Sequence, residues 1–150
     1  MNRRSAALLL ACLASACGRK SSPLPPELVR PSSPTEIVAS SLPDGVQLRW
    51  SRPRSYTSGR RMRDLASFDI ERSIDEGKLL DYAPVATLVL EDRLSFQQAR
   101  RLEWKDPDVR EGVTYFYRVT AVTLDGDRSE PSGAVSILYH KPAASNQPAR

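Results

Sequence analysis

Through the middle of the chain, apolar and polar residues change places every second position. Val46, Leu48 and Trp50 are separated by Gln47 and Arg49, and Phe68 and Ile70 alternate with Asp69 and Glu71 across 67–73. In the longest such run, 114–123, Tyr115, Tyr117, Val119 and Ala121 fall on one face. A period of two marks strands with one buried face. Shorter apolar stretches at 37–39, 85–90, 102–106 and 134–139 predict four more strands, the one at 102–106 being the weakest. Pro43-Asp44-Gly45, Asp75-Glu76-Gly77 and Asp125-Gly126-Asp127 supply turn chemistry between them. Only 94–101 admits one or two helical turns. Seven short strands without a long helix predict an all-β antiparallel sandwich.

The first residues follow another pattern. Arg3 and Arg4 precede an uncharged apolar run, 6–14, which is shorter than the roughly 20 residues that span a bilayer. A positive start, a short apolar core and small residues after it define an export signal rather than a membrane helix. Leu13-Ala14-Ser15-Ala16-Cys17 then resembles a bacterial lipobox. The resemblance implies a signal peptide at 1–16, cleavage before Cys17, and acyl chains on that cysteine. Ala14 stands where the family prefers leucine. Two other readings of the stretch stay open: Ala14-Ser15-Ala16 as an ordinary secretory cleavage site, and Leu9-Leu10-Ala11-Cys12 as a lipobox with a shorter apolar core. Buried acyl methylenes contribute about 0.8 kcal/mol each, so two or more chains would fix the protein to its membrane. Gly18, in place of the aspartate that commonly retains such proteins in the inner membrane, implies the outer membrane, facing the periplasm.

Residues 17–33 are rich in proline and serine, which predicts an extended, semi-stiff spacer behind the lipidated terminus. The domain proper is expected at 34–140, and a polar tail at 141–150. The 40% hydrophobic content is sufficient for a packed core. Both cysteines lie in the first seventeen residues, so the domain is expected to hold without disulfides or thiolate-bound metal. The formal charge of +4 falls by two, to +2, when Arg3 and Arg4 leave with the leader. So small an excess gives no reason to expect a nucleic-acid partner.

Trp50 at the end of the second strand, the run Tyr115-Phe116-Tyr117-Arg118-Val119-Thr120-Ala121-Val122, and Ser129-Glu130-Pro131-Ser132 before the last strand resemble a fibronectin type III domain over about 34–140. The resemblance implies a seven-stranded, immunoglobulin-like sandwich. It also implies that Trp50 packs under the sheets and that the Tyr115 hydroxyl ties back to upstream backbone. Val109-Arg110-Glu111-Gly112-Val113 stands where the family has a leucine-x-proline-glycine turn, here without its proline. Segments 51–66 and 91–101 are longer than usual for the family.

Candidate chemistry is sparse. His140 is the single histidine, the serines lack a base, and no glycine-rich phosphate loop occurs, so neither catalysis nor a cofactor is expected. Asp106-Pro107-Asp108 and Asp125-Gly126-Asp127 miss calcium-loop spacing and read as solvated turns. The unusual feature is five arginines within twelve residues, Arg52, Arg54, Arg60, Arg61 and Arg63, with Tyr56 among them. Guanidinium forks bind phosphate or carboxylate, and an aromatic ring stacks a sugar, so an anionic envelope ligand is one reading. A solvated loop, with Asp125 and Asp127 neutralising some arginines, is the other. The segment 17–26 also resembles the start of small outer-membrane lipoproteins that assist the lipopolysaccharide translocon. Two functions follow: a lipid-anchored module that binds an envelope protein, an anionic glycan or lipopolysaccharide through its loops, or an assembly factor that acts through its N-terminal segment.

Overall fold

The computed structural model describes residue 25 and residues 29–74, 81–90 and 100–142. Cys17, most of the spacer, the turn at 75–77, nearly all of 94–101 and most of the tail lie outside them. Seven strands form two antiparallel sheets: β1 (Thr35–Leu42), β2 (Gly45–Ser51), β3 (Leu65–Ile74), β4 (Ala83–Val89), β5 (Arg101–Asp106), β6 (Thr114–Thr123) and β7 (Val135–Leu138). One sheet has the order β1-β2-β5 and the other β4-β3-β6-β7. The alternation along the chain sets which face is inside. Val46, Leu48 and Trp50 of β2 meet Leu65, Phe68 and Ile70 of β3 and Tyr115, Tyr117, Val119 and Ala121 of β6 in one buried cluster. The Trp50 and Phe68 rings meet edge to face at 5.5 Å, the contact that joins the two sheets at their centre. Leu65 is out of step with Phe68 and Ile70, and a bulge between Leu65 and Ser67 brings it back to the inner face.

The strands outgrow their apolar signals where neighbours complete the pairing. The three-residue signal at 37–39 lies inside the eight residues of β1, because β2 pairs with it from Thr35 to Leu42. Chain ends differ too. The spacer was expected to run through residue 33, but Pro31 is fully buried and bridges to Tyr56, so the fold begins by residue 30. The Ser-Glu-Pro-Ser segment acquires a physical role. Ser129 and Ser132 donate their N–H groups to the Ala121 and Val119 carbonyls, both at 2.9 Å. Their hydroxyls accept from the N–H groups of Ala121 (2.9 Å) and Val119 (3.0 Å). Two serines thereby complete the edge of β6 before β7 begins, and Pro131 between them has no N–H to leave unpaired.

Candidate functional site

The sandwich has two poles of opposite character. At the pole holding the β1–β2 turn, Gly45 packs so closely on Asp106 that a Cβ would collide with the Asp106 carbonyl oxygen, and its φ of +148° suits glycine. The Asp106 carboxylate accepts from Tyr117 Oη at 2.8 Å, from Arg72 Nη1 at 2.7 Å and from the Asp108 N–H at 3.0 Å. Arg72 also donates to the Asp108 carbonyl at 2.8 Å. Burial, then the Asp106 hydrogen bond, raises the Tyr117 hydroxyl's pKa. Burial works against the charge on Arg72, but Asp106 more than compensates and holds the guanidinium above its usual range. Asp106 was expected in a solvated turn; it is 2% exposed, because β2 pairs with β5 through Val46↔Asp106 and draws the carboxylate inside. The Tyr115 hydroxyl accepts from the Arg110 N–H at 2.8 Å, tying the chain before β6 to the strand itself.

The other pole carries the arginines. Within 51–66, expected as a loop, residues 54–62 fold into a small hairpin: Ser55 bridges to Arg61, the Tyr56 N–H donates to the Arg60 carbonyl (2.9 Å) and the Met62 N–H to the Arg54 carbonyl (2.9 Å). Gly59, at φ +81°, forms its turn. Met62 and Pro53 are buried beneath it. Tyr56 was expected to offer its ring to a ligand. It packs against the core instead, and its hydroxyl donates to Asp64 Oδ1 at 2.6 Å. Burial and then that carboxylate push its pKa up to about 12. Tyr56 is therefore structural.

The five arginines separate into two groups. Arg52 and Arg54 line an open depression of about 660 Å³ together with Glu36, Ser51, Arg100 and Arg101. The register of β2 on β5 makes this juxtaposition: Ser51 pairs with Arg101, and the Arg52 N–H donates to the Arg100 carbonyl at 3.1 Å. Glu36 is the sole acid among the described residues of the lining. It is also the one non-glycine residue with positive φ (54°) among the described residues, at the irregularity between Thr35 and Val38. That conformation is uncommon for a side chain larger than glycine's and costs of order 1 kcal/mol. Here it aims the carboxylate at Ser51 Oγ, which donates to it at 2.6 Å, and at Arg101, 3.6 Å away. Burial, followed by the charge of Arg54, lowers the pKa of Arg52, so its positive charge is held at a cost that an incoming anion would relieve.

Arg60, Arg61 and Arg63 form the second group, exposed on the hairpin. No ion pair among the described residues includes them, and none joins Asp125 or Asp127 to any of the five. Asp125 makes no direct pair with them, but it and Arg60 both act on the Tyr56 hydroxyl, Asp125 raising its pKa and Arg60 lowering it. Arg100 and Arg101 were missed because they lie nearly fifty residues downstream of Arg52 and Arg54 and carry no local motif. The signal was an Arg-Arg pair at the start of a strand whose partner ends in Ser51-Arg52.

No family model matches the chain, and no curated protein matches it. Among solved structures it is similar to the third fibronectin III domain of human KIAA0343 protein, with a TM-score of 0.54 and 11% identity, covering 85% of this chain and 97% of that one. It is similar to the fn3 domain of human collagen alpha-1(XX) chain at a TM-score of 0.50 and 18% identity, covering 87% and 99%. Similarity to the twitchin kinase region from C. elegans gives 0.52 and 19%, over 73% of this chain and 17% of that much longer one. With its strand order of β1-β2-β5 against β4-β3-β6-β7, the chain has the fold of a fibronectin type III domain.

Proposed function

We propose that this protein is a non-catalytic interaction module of the bacterial cell envelope, held at the outer membrane by acyl chains on Cys17. Its ligand is a phosphate or carboxylate group of an envelope polymer, bound in the depression between β1, β2 and β5. One observation carries the reading: four arginines from two distant chain segments line a single opening with one acid among its described residues. A fold needs no such arrangement for stability, since like charges so placed repel. An oxyanion that accepts two or more guanidinium N–H groups turns that repulsion into binding.

The test uses the chain lacking residues 1–17, titrated with two probes. A lipid-free, phosphorylated core oligosaccharide presents phosphate, and a polyuronate presents carboxylate. At least one should bind at about 0.15 M salt. Arg52→Gln with Arg54→Gln should weaken it tenfold or more, as expected when charge-assisted hydrogen bonds are lost. Arg60→Ala, Arg61→Ala and Arg63→Ala together should leave it within about twofold. Absence of binding to both probes, or equal losses from the two sets of variants, overturns the assignment.

A further inference from the structure

We infer that the N-terminal tether joins the sandwich at its arginine-bearing pole, so that Arg60, Arg61 and Arg63 dock on the anionic headgroups of the membrane that holds the anchor. The domain would then sit in one orientation instead of tumbling on its spacer. The inference rests on the acyl anchor proposed above but not on the depression.

The tether's path is defined from Arg30 onward. The Thr57 N–H donates to the Arg30 carbonyl at 2.9 Å and the Ser32 N–H to the Ser55 carbonyl at 3.0 Å, so residues 30–32 run along the hairpin as a third strand. Pro31 between them is fully buried. Arg30 also reaches across to the other loop of this pole, with Nη2 3.0 Å from Glu130 and Nε donating to the Arg128 carbonyl at 3.2 Å. The hairpin is thereby the part of the domain nearest the anchor in chain terms. The thirteen residues from 17 to 29 extend at most about 45 Å, which puts the hairpin within reach of the bilayer that holds the anchor. The Glu111 turn lies at the opposite pole, a ten-residue strand away, roughly 33 Å.

Charge completes the case. Arg30, Arg72, Arg101, Lys105, Arg118 and Arg128 are each paired with a carboxylate. Among the described residues, the exposed hairpin arginines are not. Asp64, the acid at the hairpin's base, is engaged by Tyr56. A cation near an anionic bilayer surface contributes about fivefold in affinity, so three contribute of order a hundredfold, and the effect is screened by salt.

The mature lipoprotein offers a clean experiment. Cys12 leaves with the leader and Cys17 is blocked by its lipid, so one introduced cysteine is the only free thiol. A fluorophore is placed at Thr57→Cys on the hairpin or at Glu111→Cys on the far pole. The anchored protein is reconstituted in phosphatidylglycerol–phosphatidylethanolamine vesicles that carry a lipid-borne quencher. The hairpin label should be quenched and the Glu111 label spared, with the difference lost in phosphatidylcholine vesicles. It should also be lost when Arg60, Arg61 and Arg63 are alanine, and kept when Arg52 and Arg54 are glutamine. Equal quenching of the two labels, or a difference that survives the triple substitution, overturns the docking while leaving the anchor standing. Absence of acyl labelling on Cys17 overturns both.

Discussion

Each pole of this sandwich places a tyrosine hydroxyl on a carboxylate and arginines nearby, and the two outcomes are opposite. At the Asp106 pole the buried charge is answered: Tyr117, Arg72 and the Asp108 N–H share one carboxylate, and Arg72 Nη1 also donates to the Asp108 carbonyl. At the hairpin pole Tyr56 donates to Asp64, and Glu36 is shared between Ser51 and Arg101, while no ion pair among the described residues includes Arg52, Arg54, Arg60, Arg61 or Arg63. Opposite charges brought together in a low dielectric fix a fold, whereas like charges gathered at a surface store repulsion that only a ligand removes. The two poles teach how to tell an arginine that builds the protein from one that is available to bind: not by its burial or its neighbours in sequence, but by whether its charge is already answered.

The comparison breaks most readily at Asp106. Asp106→Ala removes the acceptor for Tyr117 and leaves Arg72, whose side chain is 21% exposed, beside an apolar core without its counter-ion. The expected cost is about 3 kcal/mol, the lower end for breaking a buried pair because Arg72 keeps some contact with water. Denaturant unfolding of the chain lacking residues 1–17 measures it. A loss below about 1 kcal/mol would show that this pole is no more tightly held than the other. A smaller effect is expected from Tyr115→Phe, which keeps the ring and its stacking on Tyr117 but strands the Arg110 N–H. About 1 kcal/mol should be lost, and a neutral result would mean that water replaces the hydroxyl.

The sequence disclosed these two poles unequally. The alternation of Val46, Leu48 and Trp50 and of Tyr115, Tyr117, Val119 and Ala121 reports burial directly, because a strand has one inner face and periodicity is local. Strand extents were legible only in part, since β1 owes its outer residues to pairing with β2 and not to its own apolar content. Asp106 looked like a turn residue for the same reason: its neighbours Pro107 and Asp108 are turn formers, while the register that buries it is set by Val46, sixty residues earlier. The hairpin arginines were conspicuous as a cluster in sequence. The depression was not, because two of its four arginines arrive at the start of β5, Arg101 through its pairing with Ser51 and Arg100 just before the strand, and no local pattern announces a cross-strand neighbour. Tyr56 was misread because an aromatic among arginines looks like a stacking surface, yet its acceptor, Asp64, lies eight residues on across a hairpin that the sequence did not reveal.

The smallest effect on stability carries the sharpest form of the comparison. Arg52→Gln and Arg72→Gln remove the same charge from the two poles. For Arg72 the fold raises the pKa through Asp106, so the protein gains from that charge and losing it should destabilise. For Arg52 the fold lowers the pKa, first by burial and then by repulsion from Arg54, so the folded state holds the charge at a cost. Arg52→Gln should therefore change unfolding free energy by no more than about 0.5 kcal/mol, with the sign toward greater stability. A ligand reverses that order. An anion seated in the depression stabilises the native chain by RT ln(1 + [L]/Kd), which amounts to about 2.7 kcal/mol at a hundredfold excess over Kd. Saturating oligosaccharide or polyuronate should raise the melting temperature of the unaltered protein and of Arg72→Gln alike, and raise that of Arg52→Gln much less. If Arg52→Gln instead loses more than about 1 kcal/mol without ligand, its guanidinium is holding the end of β2 in place. The depression would then be a structural feature like the Asp106 pole, and the difference between the two ends of the molecule would reduce to the hairpin alone.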